Sequence, residues 1–143
     1  MAVINNQELL FWQKPGCEGN RRQLKLLHQQ GFKPRVLSLF EQHWTASELK
    51  SFFSGKPLAD WFNTSAPAIK CGTINLETLD EDMALLMMVN DPILIRRPLM
   101  QYGSLKQAGF VAGAVIDELQ ITLNPQQQLD RCPQPDGVNH CDH

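Results

Sequence analysis

The 143-residue chain is 43% hydrophobic and 20% charged, and its 13 basic and 15 acidic side chains leave a formal charge of −2. That length fits one domain able to bury roughly 70% of its unfolded surface. No apolar run approaches the ~18 residues of a spanning helix, and the opening MAVINNQELL lacks the basic and apolar stretches of a secretory signal. A near-neutral chain with no basic block is not expected to bind nucleic acid by neutralising phosphates, and four unevenly spaced cysteines do not suggest a disulfide framework. A cytoplasmic α/β or α+β domain is expected, with no membrane partner and no direct nucleic-acid partner.

The first apolar run, Glu8-Leu9-Leu10-Phe11-Trp12-Gln13, is short and ends at Lys14-Pro15-Gly16. It reads as a buried strand closed by a turn. A helix is predicted from Gly19 to Gln30, with Leu24, Leu27 and Gly31 in phase, Leu26 broadening the stripe, and Gly31 as the stop. Val36, Leu37 and Leu39 form a second strand, completing a βαβ unit. Thr45-Ala46-Ser47-Glu48 has the form of a capping box for a helix ending near Phe53. Leu58 to Phe62 is a short segment running into a loop, Asn63-Thr64-Ser65-Ala66-Pro67. Thr78-Leu79-Asp80-Glu81 reads as a second capping box, followed by a helix with Leu79, Met83, Leu86 and Met87 on its apolar face.

Two extended runs, Ile93 to Tyr102 and Leu105-Lys106-Gln107, flank Gly103-Ser104, a two-residue hairpin signal. A last helix is predicted from Ala112 to Gln120 with Val115, Ile116 and Leu119 buried. The order is βαβ, then helices, then a hairpin and a helix. That is a thioredoxin-like (glutaredoxin-type) α/β fold: a four-stranded mixed sheet flanked by helices, with an inserted helical segment. The domain is expected over residues 1–122. Residues 123–143, rich in Pro and Gln and poor in apolar side chains, read as a disordered tail.

Cys17 follows the strand and turn and opens the first helix. There the positive end of the helix dipole and its unbonded amides stabilise thiolate over thiol, and Lys14, Arg21 and Arg22 add positive charge. The alternative is an incidental buried cysteine. Arg97-Pro98 opens the third strand, and in this fold order a cis bond there places Arg97 beside the Cys17 loop, able to hold a thiolate or a bound anion. The alternative is one surface arginine and one paired with a carboxylate such as Asp91. Cys71 reads as a neutral loop thiol. Cys132, His140, Cys141 and His143 have zinc-ligand chemistry, but their spacing fits no standard site and no metal is expected. The three tryptophans and the Met83, Met87 and Met88 cluster read as packing.

Lys14-Pro15-Gly16-Cys17 with Asn20, Trp61-Phe62-Asn63-Thr64-Ser65-Ala66-Pro67, and Asp91-Pro92-Ile93-Leu94-Ile95-Arg96-Arg97-Pro98 together resemble the arsenate reductase/Spx-like family, in particular its nitrogenase-associated branch. The resemblance spans about Leu9 to Phe110. It implies that Cys17 is the nucleophile and Arg97 an anion-holding group. It also implies that Lys14, Gly16, Asn20, Asn63 and Pro98 shape the substrate site. Of the three arginines around the oxyanion in such reductases, only Arg97 has a counterpart. Asn63 stands where the second is expected, and Gln107-Ala108-Gly109-Phe110 where the third is. Each missing bidentate arginine removes a bond of about 1.5–3 kcal/mol, so arsenate reduction is not the expected activity. Asn20, in place of a second cysteine, excludes a C-x-x-C switch.

Two functions follow as expectations. One is a cysteine-dependent thiol redox protein linked to nitrogen fixation, with no bound cofactor and with glutathione or glutaredoxin as co-substrate or partner. The other is a non-catalytic Spx-like adaptor that binds a nitrogenase or nitrogen-fixation protein.

Overall fold

The computed structural model describes residues 8–123. Four strands, β1 (Leu9–Gln13), β2 (Arg35–Ser38), β3 (Leu99–Tyr102) and β4 (Leu105–Ala108), form one sheet in the order β2-β1-β3-β4. β1 runs parallel to β2 and antiparallel to β3, and β3 pairs antiparallel with β4 across the Gly103-Ser104 turn. The sheet is therefore mixed, as the element order required. Gly103 adopts φ +62°, the left-handed conformation that a tight hairpin demands.

Because side chains alternate across a strand, each strand supplies two cores. Leu9 and Phe11 of β1 and Met100 of β3 join Leu27 of α1 (Glu18–Gln29) and Val115 and Ile116 of α5 (Ala114–Glu118) on one face. Trp12 and Leu99 point the other way, into a larger core. That core holds Leu49 of α2 (Ala46–Lys50) and Ala84, Leu85 and Met88 of α4 (Glu81–Asn90), with Ala68 and Ile69 of α3 (Pro67–Lys70) packed against it. Helices thus cover both faces.

The tryptophans are packing residues. Trp12, Trp44 and Phe52 meet at centroid distances of 5.4–5.8 Å, and Phe53 stacks on Trp61 at 5.0 Å. Their indole nitrogens are satisfied by Gln42, Leu39 and Lys56 oxygens.

The Thr45–Glu48 capping box forms as predicted: the Glu48 amide donates to Thr45 Oγ1 at 3.1 Å, and the Thr45 amide donates to Glu48 Oε1 at 3.0 Å. Thr45→Ala is expected to destabilise the fold by about 1 kcal/mol, read as a shift in urea midpoint with unchanged slope.

Three expectations are corrected. α4 is capped by Asp80, whose Oδ1 accepts from the Met83 amide at 2.8 Å, while Thr78 turns back to the Asn75 carbonyl. With the helix starting later, and Ala84 to Val89 an unbroken apolar run, periodicity does not choose the face. Ala84, Leu85 and Met88 are buried, whereas Met83 and Leu86 are 48% and 54% exposed. The expected loop after Asn63 contains α3, started by Pro67 at its first position.

Among the described residues no helix is long and apolar enough to cross a membrane. The expected tail lies outside the described residues, apart from Leu123, and so do the Cys132, His140, Cys141 and His143 of the zinc reading.

Candidate functional site

Lys14 to Cys17 form a type II turn. The Cys17 amide donates to the Lys14 carbonyl at 3.1 Å, Pro15 holds the second position and Gly16 takes the third at φ +82°. The turn delivers Cys17 as the N-cap of α1, with extended backbone (φ −78°, ψ 121°) and its sulfur accepting from the Asn20 amide at 3.5 Å. A sulfur in this position faces the amide-rich end of a three-turn helix.

The Asn20 side chain is a latch. Its Oδ1 accepts from the Lys14 amide at 3.0 Å and its Nδ2 donates to Gln23 Oε1 at 2.8 Å. Both Asn20 and Gln23 are buried, at 1% exposure each. They fasten the cysteine turn to the helix that follows it.

The segments around Asn63 and Arg97 are joined to each other by backbone. Phe62 bridges Ile95, the Arg96 amide donates to the Trp61 carbonyl at 3.0 Å, and the Asn63 amide donates to the Leu94 carbonyl at 2.8 Å. This short ladder docks the inserted helical region against the entry to β3. The Arg97–Pro98 bond is cis. Arg97 is 6% exposed, and its Nε is buried with no acceptor among the described residues, although the residue is engaged elsewhere.

These segments enclose a cavity of 160 Å³ lined by Cys17, Asn20, Gln23, Asn63, Arg96 and Arg97, with Ala59, Asp60, Phe62, Thr64 and Ser65 completing the wall. Cys17, at 5% exposure, meets solvent space there. Of the residues expected at the site, Cys17, Asn20, Asn63 and Arg97 line it together. Lys14, Gly16 and Pro98 do not, and act through backbone: the first two form the cysteine turn, and the Pro98 carbonyl accepts from the Gly109 amide at 2.9 Å. Arg21 is turned outward, paired with Glu18 at 3.1 Å on an exposed surface.

Asn63 lines the wall, and its side chain ties its loop to the segment ahead of β3: Oδ1 accepts from the Ser65 amide at 3.0 Å and Nδ2 donates to the Ile93 carbonyl at 3.1 Å. Gln107, at the hairpin exit, is also structural. It accepts from the Val115 and Ile116 amides and donates to the Gly109 and Val111 carbonyls, at 2.8–2.9 Å. Cys71 is disulfide-bonded, which corrects the expectation of a neutral loop thiol; its partner is not Cys17, which is free. No cluster of potential metal ligands occurs among the described residues.

Sequence reasoning missed Gln23 and Arg96. Gln23 was legible in principle, since Asn20, Gln23 and Leu27 share one face of α1 and the face is buried. Arg96 had no such signal, because its course depends on the chain past the hairpin.

A mixed four-stranded sheet with helices on both faces, a cysteine opening the first helix and a cis Arg97–Pro98 bond at the entry to β3 define a thioredoxin-like protein whose cavity is lined by one cysteine among the described residues. The chain belongs to the ArsC family, whose model matches residues 12–116. It is 40% identical over 133 residues to an uncharacterized 15.7 kDa protein in the draG 3' region of Rhodospirillum rubrum, covering 93% of this chain and 92% of that one. It is 27% identical over 95 residues to arsenate reductase ArsI2 of Synechocystis, covering 64% and 67%. Among solved structures it resembles a possible arsenate reductase from Streptococcus mutans, with a TM-score of 0.66 and 25% identity over 80% of this chain and 99% of that one.

Proposed function

We propose that the protein is a cysteine-dependent thiol redox protein acting in the setting of nitrogen fixation, with Cys17 as nucleophile and Arg97 holding an anionic group of the substrate. The observation that carries this reading is the free Cys17 sulfur at the N-cap of α1, opening onto a cavity shared with Arg97. The chemistry is monothiol exchange. The Cys17 thiolate attacks a disulfide R–S–S–R, forming Cys17–S–S–R and releasing RS⁻. A second thiolate then attacks the mixed disulfide and returns Cys17. Glutathione supplies the thiol class, and glutaredoxin is a candidate reducing partner.

Membership of the ArsC family supports the thiol chemistry, and the draG-region relative alone supports the setting. Arsenate reduction is not part of the reading, because Asn63 and Gln107, near which further arginines are expected, are committed to backbone bonds. The same observation favours a second reading, a partner-binding protein of the nitrogen-fixation machinery that needs no chemistry at Cys17.

A glutathione-coupled disulfide exchange assay separates the two: turnover lost in Cys17→Ser supports the first, and no turnover in the wild type removes it. For the second, the full chain is used to capture partners from nitrogen-fixing cells. Recovery of a nitrogen-fixation protein by both wild type and Cys17→Ser supports it, and recovery of none counts against it.

A further inference from the structure

We propose that Arg96 is a second anion-binding group of the Cys17 cavity, seated there by Gly109, so that the cavity receives a small anion between two guanidinium groups. Arg96 and Arg97 fall outside the strands, the latter at a bend ahead of the cis bond to Pro98, and both line this cavity. The reason lies past the hairpin. Gly109 has φ +86°, and a Cβ built on it would meet Arg96 Nε at 2.5 Å and Cζ and Nη2 at 2.9 Å. The guanidinium therefore lies across the bare Gly109 backbone, in a groove that any side chain would fill. From there Nη1 donates to the Asp60 carbonyl at 3.3 Å, tying the group to the cavity wall.

Gly109 is itself held in place, its amide by Pro98 and its carbonyl by Gln107. Arg97 is buried, whereas Arg96 is only half-buried. One cation of the wall is thus buried and the other partly exposed, and Asp60 is the one carboxylate among the described residues that line it. The ligand class is a small anion, either an inorganic oxyanion or the carboxylate of a thiol compound. Cys17 enters the proposal as a reporter, so it rests on the redox reading only for the identity of the natural ligand.

The test compares alkylation of Cys17, mapped by peptide mass, with anionic iodoacetate and neutral iodoacetamide. Arg96→Gln is expected to slow iodoacetate by roughly three- to tenfold more than it slows iodoacetamide, and Arg96→Lys to recover part of the difference. Gly109→Ala, which pushes the guanidinium aside, is expected to act in the same direction as Arg96→Gln. Equal effects on both reagents, or none, in Arg96→Gln and Arg96→Lys would show that Arg96 is only a strap between Gly109 and Asp60, and would overturn the proposal.

A second measurement needs no variant to fold. Protection of wild-type Cys17 from iodoacetamide by inorganic phosphate assigns the site to oxyanions, and protection by S-methylglutathione alone assigns it to a thiol carboxylate. Protection by neither overturns the proposal. Charge preference without disulfide exchange would leave this site standing and remove the redox reading.

Discussion

Cys17→Ser is expected to reduce glutathione-linked disulfide exchange by about a thousandfold or more, to the level of the uncatalysed reaction, while the protein stays folded. Serine has no accessible oxyanion at neutral pH and does not exchange with disulfides, so the covalent intermediate cannot form. The fold should tolerate the change because serine is a preferred N-cap. Its oxygen can take over the bond that the sulfur accepts from the Asn20 amide. The turn is further held by the Lys14–Asn20–Gln23 bonds, which the substitution leaves intact. A thermal midpoint within a few degrees of the wild type, together with lost exchange, is the expected pair of results. Unimpaired exchange would place the chemistry on another thiol.

Gln107→Leu is expected to be among the most damaging single substitutions, costing about 3–5 kcal/mol. Leucine matches the buried volume but strips the Val115 and Ile116 amides of their acceptor and the Gly109 and Val111 carbonyls of their donor. Each buried group left unmatched costs about 1–3 kcal/mol, less whatever relaxation recovers. At roughly 3 °C per kcal/mol for a domain near this size, the thermal midpoint should fall by about 10 °C or more. A shift under about 1 kcal/mol, read from the urea midpoint, would mean that water replaces the amide. The substitution also frees Gly109, so the iodoacetate preference of Cys17 should weaken in whatever fraction remains folded. Stability and anion binding are coupled here through one glutamine.

The sheet was readable from the chain because its signals are local. Lys14-Pro15-Gly16 stops β1, Gly31 ends α1 and Gly103-Ser104 turns the hairpin, each through a backbone preference that a few residues determine. Cys17 and Arg97 could be singled out for the same reason, since a helix start and an Arg-Pro step are visible in sequence. α4 was misread in phase because an apolar run with no polar interruption carries no periodicity, and its cap falls to an aspartate two residues beyond the threonine. α3 was missed because four residues are too few to show a period.

The site was less legible than the fold. Asn63 was expected at the substrate site and does line the cavity, but its bonds to the Ser65 amide and to the Ile93 carbonyl, 30 residues away, could not be read from the chain. Arg96 gained a place at the cavity only from the bare backbone of Gly109, thirteen residues on in the sequence and adjacent only in the fold.

The central claim is that Cys17 is a thiol poised to exchange with an anionic partner in the Arg97 cavity. Its most direct test is incubation of the full-length protein with glutathione disulfide, followed by peptide mass mapping of the adduct. A single glutathione adduct on Cys17, removed by fresh glutathione and slowed in Arg97→Gln, is the predicted result. An adduct that avoids Cys17, or none at all in a folded sample, would contradict the account.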